Sequence, residues 1–167
     1  MVAELENYYA QYDEAAKDVE LLEAFWDVWG KGREKACRNM RSYYQYQDCG
    51  YNEEPKFDKY GWIVNDIEKD KVESIRLFGD EPLISTVECL QLPNGKWIGG
   101  HHYMLSEQGS SCSCSIWSKQ YDSRIEALTS QMRVIADAIK GSKKQSDKVH
   151  LAAVVHAMDD VRQLSLF

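Results

Sequence analysis

Basic residues are in the minority, 20 Lys and Arg against 27 Asp and Glu, with a net charge of −7 and a pI near 5.1. Such a chain repels phosphate, which argues against direct nucleic-acid binding by a basic face. Long apolar runs are also missing. The opening residues Met1-Val2-Ala3-Glu4-Leu5-Glu6 hold no basic region and no hydrophobic stretch, so no signal peptide is expected. Nothing approaches the roughly 20 apolar residues of a membrane span. The expected location is therefore cytoplasmic, with no membrane partner. A disulfide framework is missing too. The five cysteines, Cys37, Cys49, Cys89, Cys112 and Cys114, are odd in number and expected as reduced thiols. Internal repeats and low-complexity runs are absent. Gly99-Gly100 sits inside a strand pattern, with no helix start and no Lys-Ser or Lys-Thr behind it. It is no phosphate loop, and a bulge or a close approach of backbone is the expectation there. No cofactor is expected.

What is present supports a real core. Hydrophobic residues make up 44%, including five Trp and ten Tyr, enough for one domain of 167 residues or one domain with an appendage. The first 30 residues read as one long helix. Leu5, Tyr8, Tyr12, Ala15, Val19, Leu22, Trp26 and Trp29 repeat at 3-4 spacing, with acidic residues on the other faces. This stripe packs on the chain's own core, or it forms a homodimer seam or a helical hairpin with the next segment. Gly30 and Gly32 punctuate it. A second helix is expected from Arg33 to about Gln47, carrying the basic cluster Arg33, Lys35, Arg38 and Arg41. Asp48 to Asp58 reads as a loop and a boundary, which closes a helical segment at residues 1–50.

Residues 56–141 then read as an α+β core. Short β-like runs are expected at Gly61–Val64, Val72–Phe78 and Leu83–Leu92, and from Lys96 to Leu105. Pro93-Asn94-Gly95 marks a tight hairpin between the last two. A two-residue loop would pair Leu92 with Trp97, and a three-residue bulged loop would pair Leu92 with Lys96. Glu107 to Ser111 is expected as a polar loop, and Cys112 to Trp117 as the last strand. Ser123 and Glu126 form an S-x-x-E cap for a helix over 123–140, with Ile125, Leu128, Met132, Ile135 and Ile139 on its buried face and Gly141 ending it. A polar linker leads to a last helix over 146–162, capped by Ser146 or Asp147, with Leu151, Val154, Val155, Met158 and Val161 as its stripe. The expected fold is α+β: an antiparallel β-meander with a helix packed on one face, preceded by a long N-terminal helix or helical hairpin and followed by a C-terminal helix.

Two clusters invite chemistry. His101, His102, Cys112 and Cys114 are the weak metal candidates, since a strand places residues two apart on one face. C-x-C is the wrong spacing for common zinc knuckles, and strand-borne thiols are ordinary core residues. A Cys/His hydrolase would use the same four, but no glycine elbow, oxyanion loop or orienting carboxylate accompanies them. His150 and His156 lie six apart on the last helix and read as surface or boundary residues.

The last five residues are Gln163-Leu164-Ser165-Leu166-Phe167. Leu164, Leu166 and Phe167 supply apolar anchors, Gln163 an amide that donates and accepts, and Ser165 a small spacer. If the preceding helix simply continued, Phe167 would fall opposite its buried stripe. The string Q-L-S-L-F resembles the pentapeptide by which bacterial replication and repair proteins dock on the sliding clamp, the ring that holds DNA polymerase III on its template. That resemblance implies a non-enzymatic adaptor or modulator whose partner is the clamp. The segment from about Trp62 to Lys140 also resembles, in outline, uncharacterised domains coded by phages and plasmids, which implies a mobile-element protein acting at replication or repair. The alternative expectation is an acidic counter-defence protein that masks a nuclease or DNA-binding enzyme.

Overall fold

In a computed structural model of the chain, the described residues are 33–54, 56–64, 67–80 and 84–163. The expected N-terminal helix and its seam, Leu5 to Trp29, lie outside them, as do Leu164, Ser165, Leu166 and Phe167. The chain forms two compact units, Met1–Asn65 and Asp66–Phe167.

In the first unit, helix α1 spans Arg33–Asp48, where the sequence placed a helix. Met40 and Asn39 are buried on it. Gly50, at φ +90°, lets the chain reverse, and Tyr51 stacks on Tyr46 with ring centroids 4.4 Å apart. Residues 56–64 then form a narrow loop. Val64 N–H donates to Lys56 O and Asp58 N–H to Trp62 O, both at 2.8 Å. The Gly61–Val64 run, expected as a strand, makes only an isolated bridge between Phe57 and Ile63. The reason lies in Asp58 and Gly61. The Asp58 carboxylate accepts from Tyr60 N–H and Trp62 N–H, and Gly61 at φ +77° closes the turn. The bends leave too little extended chain for a ladder. Asn39 latches this loop to α1, donating to Gly61 O at 2.8 Å and accepting from Ile63 N–H at 3.1 Å.

The second unit is α+β. Strands β1 (Glu73–Phe78), β2 (Ser85–Gln91), β3 (Trp97–Met104) and β4 (Gly109–Cys112) run antiparallel in the order β1-β2-β3-β4. A two-residue β5 (Gln120–Tyr121) pairs with the start of β3, along the same strand whose far half pairs with β4. Helix α2 (Arg124–Gly141) packs across the sheet, a single turn α3 (Gln145–Lys148) follows, and α4 (Leu151–Gln163) is the last helix. The core gathers Val87, Cys89 and Tyr103 from the sheet, Leu128, Met132, Ile135 and Ile139 from α2, and Val154, Met158 and Val161 from α4. A register shift between Arg76 and Phe78 makes a bulge in β1, so that Phe78 joins Ile75 and Leu77 on the core side.

The hairpin takes the three-residue form. Gln91 pairs with Trp97, Leu92 N–H donates to Lys96 O at 2.8 Å, and Gly95 sits at φ +85°. The two-residue loop would have placed Pro93 in the ladder, where it has no N–H to give. At α2, the Ser123 hydroxyl accepts from Glu126 N–H at 3.2 Å, as the S-x-x-E pattern predicts. Arg124 then reaches Glu73 on β1 at 2.7 Å.

Four boundaries differ from expectation. The polar stretch 107–111 is half strand, because β4 begins at Gly109. Of the expected last strand at Cys112–Trp117 only Cys112 is strand, as the end of β4, and residues 113–117 form an irregular crossing held by Ser115 and Ser118 hydroxyls. Gly141 remains helical, and Ser142 caps α2 by donating its N–H to Ala138 O and Ile139 O. The last helix starts at Leu151, not near Lys148, because Asp147 is occupied elsewhere, as described below. On α4, Val155 is 46% exposed and lies off the buried stripe.

Candidate docking segment and the histidine and cysteine cluster

The buried stripe of α4 ends at Val161, and Arg162 and Gln163 behind it are exposed. Gln163, the first residue of the Q-L-S-L-F string, is thus exposed at the last turn of a packed helix. Leu164 to Phe167 follow it outside the described residues.

The second cluster is rearranged. Residues along a strand alternate faces, so His101 and His102 project to opposite sides of β3. His101 faces α2. Its Nδ1 lies 2.8 Å from Gln131 Oε1, its Nε2 lies 3.2 Å from Ser110 Oγ, and its ring stacks beside Tyr103. The two cysteines also part company. Cys112 pairs in register with His101 and is exposed, whereas Cys114 is buried with its sulfur 4.0 Å from Ile98 O. Burial, reinforced by the Glu88 charge, pushes the Cys114 thiol up to about 12, so it stays protonated and unreactive at neutral pH. Cys89 behaves alike, raised to about 11 mainly by burial. Among the described residues, no group of three His, Cys, Asp or Glu side chains converges to hold a metal ion. His101, His102, Cys112 and Cys114, the weak metal candidates, are therefore not brought together in one site, and the buried Cys114 is not placed as a nucleophile.

Gly99 and Gly100 explain the geometry. A Cβ at Gly99 would lie 2.8 Å from Gln131 Cγ, and one at Gly100 would lie 2.6 Å from Cys112 O. The pair admits the Gln131 side chain on one face and the backbone of 112–114 on the other, a close approach of the kind expected from glycines in a strand. Sequence reasoning missed Ser110 and Gln131. Only the paired glycines hinted that something large had to reach β3.

A third polar group was misread as a helix cap. Asp147 is buried, and its carboxylate accepts from Ser106 N–H at 3.0 Å, from the Ser106 hydroxyl at 2.6 Å, and from the Ser142 hydroxyl. It ties the β3–β4 turn to the segment after α2. These bonds, that of the Ser106 hydroxyl first, hold its carboxyl below the usual aspartate range. His150 stacks on Phe78, with ring centroids 4.3 Å apart, at the edge of the core, and exposed His156 lies 3.6 Å from Asp160.

A surface hollow of about 460 Å³ beside β5 and α2 mixes Lys119 and Arg133 with Asp122 and Glu126, and it gathers no single chemistry. No helix among the described residues is long and apolar enough to cross a membrane. No protein-family model, no curated protein and no solved structure matches the chain.

Proposed function

We propose that the protein is an adaptor that docks on the bacterial sliding clamp through Gln163–Phe167 and acts at replication or repair, in the setting of a phage or plasmid. The observation that carries this reading is the string Gln163-Leu164-Ser165-Leu166-Phe167 itself, behind a helix whose buried stripe stops at Val161. The exposed Gln163 supports it, since a docking amide has to reach a partner.

The energetics suit a reversible tether. Burying Leu164, Leu166 and Phe167 contributes about 5–8 kcal/mol gross. Fixing the backbone of a five-residue segment on a partner costs about 5–8 kcal/mol. Hydrogen bonds from Gln163 and the backbone, about 1 kcal/mol each, supply the surplus. The expected affinity is micromolar at best. If the Leu5–Trp29 stripe makes a homodimer, two such segments on one ring would tighten the complex by avidity.

The test is a calorimetric titration of the full chain into purified clamp, beside a variant lacking Gln163–Phe167. The expected result is lost binding with an unchanged melting temperature. Equal affinity without the segment would overturn the reading.

A further inference from the structure

We propose that Ser110, His101 and Gln131 form a serine acylation site for small activated carboxylic esters, independent of the docking segment. The sequence carried no such site, because its members come from three elements. Ser110 lies on β4, His101 on β3 and Gln131 on α2. The contacts chain nucleophile, base and orienting group: Ser110 Oγ is 3.2 Å from His101 Nε2, and His101 Nδ1 is 2.8 Å from Gln131 Oε1. An amide oxygen only accepts, so Nδ1 carries the proton and donates it to Gln131. That leaves the Nε2 lone pair for the Ser110 hydroxyl, the tautomer a general base needs. The arrangement is built in, since Gly99 lacks the Cβ that would strike Gln131 Cγ at 2.8 Å.

Access favours a small substrate. β4 is an edge strand of the β1-β2-β3-β4 path, and Gly109, Ser111 and Cys112 on it are exposed. An edge strand also leaves alternate N–H groups unpaired by the sheet, the kind of donor on which a developing oxyanion would draw.

The step balances. His101 Nε2 takes the Oγ proton as Oγ bonds to the ester carbonyl carbon. The tetrahedral adduct collapses, the bond to the alcohol oxygen breaks, and the imidazolium returns its proton to that oxygen. Acyl-Ser110 and neutral His101 remain. Water then attacks the acyl carbon, with His101 again taking and returning a proton, and the carboxylic acid leaves as Ser110 is restored. Gln131 is a positioning residue. It fixes the tautomer, but a neutral amide does not stabilise imidazolium as a carboxylate does, so turnover is expected to be slow.

The experiment treats the full chain with a fluorophosphonate probe, which forms a stable Oγ–P bond as fluoride leaves, and maps the adduct by peptide mass. The expected adduct is on Ser110 and not on Ser111, its exposed strand neighbour, which pairs in register with His102 but makes no hydrogen bond to its ring. Ser110→Ala removes it. His101→Gln slows labelling by about 100-fold or more. Gln131→Leu slows it, and Gln131→Glu restores or exceeds the original rate at an equal melting temperature. No adduct on Ser110, equal labelling of Ser110 and Ser111, or an unchanged rate in a folded His101→Gln protein each overturns the proposal. If His101→Gln fails to fold, the Ser110-against-Ser111 comparison in the unmodified chain decides alone.

Discussion

In the second unit a helix meets a sheet through hydrocarbon, whereas in the first the loop at 56–64 is held to α1 by polar contacts, the buried Asn39 amide and the Lys35 ammonium, which donates to Tyr60 O and lies over Trp62. Leu128, Met132, Ile135 and Ile139 are fully buried against Val87 and Cys89. Asn39, just 1% exposed, binds Gly61 O and Ile63 N–H. Apolar burial is additive and forgiving of small shifts. A buried amide is satisfied or it is not, and an orphaned partner keeps its desolvation cost. The first kind of contact gives bulk stability, and the second specifies where a loop sits.

The sharpest way to break that contrast is to empty the hydrocarbon. Leu128→Ala or Met132→Ala is expected to cost about 2–5 kcal/mol in urea unfolding. Amide exchange at Ile63 should stay unchanged. Loosening of both together would show that the two regions unfold as one.

Gly100→Ala comes next, at about 1–3 kcal/mol, because the new Cβ meets the carbonyl backbone of Cys112. Gly99→Ala should cost less, since part of its clash is with the side chain of Gln131. The two melting temperatures rank them.

Asn39→Ala is expected to cost about 1–3 kcal/mol locally, through the unpaired Gly61 carbonyl and Ile63 amide. Hydrogen exchange at residues 58–64 should accelerate while the melting of the sheet is unaffected. An equal loss in the sheet would erase the distinction between the two kinds of contact.

Asp147 gives the smallest effect and the polar counterpart within the second unit. Its folded pKa is lowered, first by the Ser106 hydroxyl and then by that of Ser142. Its contribution is therefore fully present above the unfolded aspartate value of about 3.9 and is lost as pH falls through the lower folded value. The urea midpoint of Asp147→Asn should lie below that of the original chain at pH 6, and the gap should close on acidification below pH 4. A gap independent of pH would show that the carboxylate charge is not what the serines hold.

The parts legible in advance were those governed by neighbours in the chain. The 3-4 spacing from Ile125 to Ile139 announced α2, Ser123 its start, and Pro93-Asn94-Gly95 the hairpin. The misreadings share a cause. Cys112–Trp117 has strand composition, but Gly100 admits the 112–114 backbone across its face and the ladder breaks. Gly61–Val64 has strand residues too, but Asp58 turns the chain. Asp147 has the chemistry of a helix cap, yet Ser106, remote in sequence, claims its carboxylate.

By itself, the sequence determined the α+β class, the buried face of α2 and the turn at Gly95, and it carries the string Gln163–Phe167 on which the proposed docking rests. Each of these depends on interactions spanning a few residues. Only the tertiary structure decided which histidine faces Gln131, which cysteine is buried, and that Ser110 meets Nε2. Those outcomes depend on strand register and helix placement, and a shift of one residue would turn every side chain of β3 to the other face.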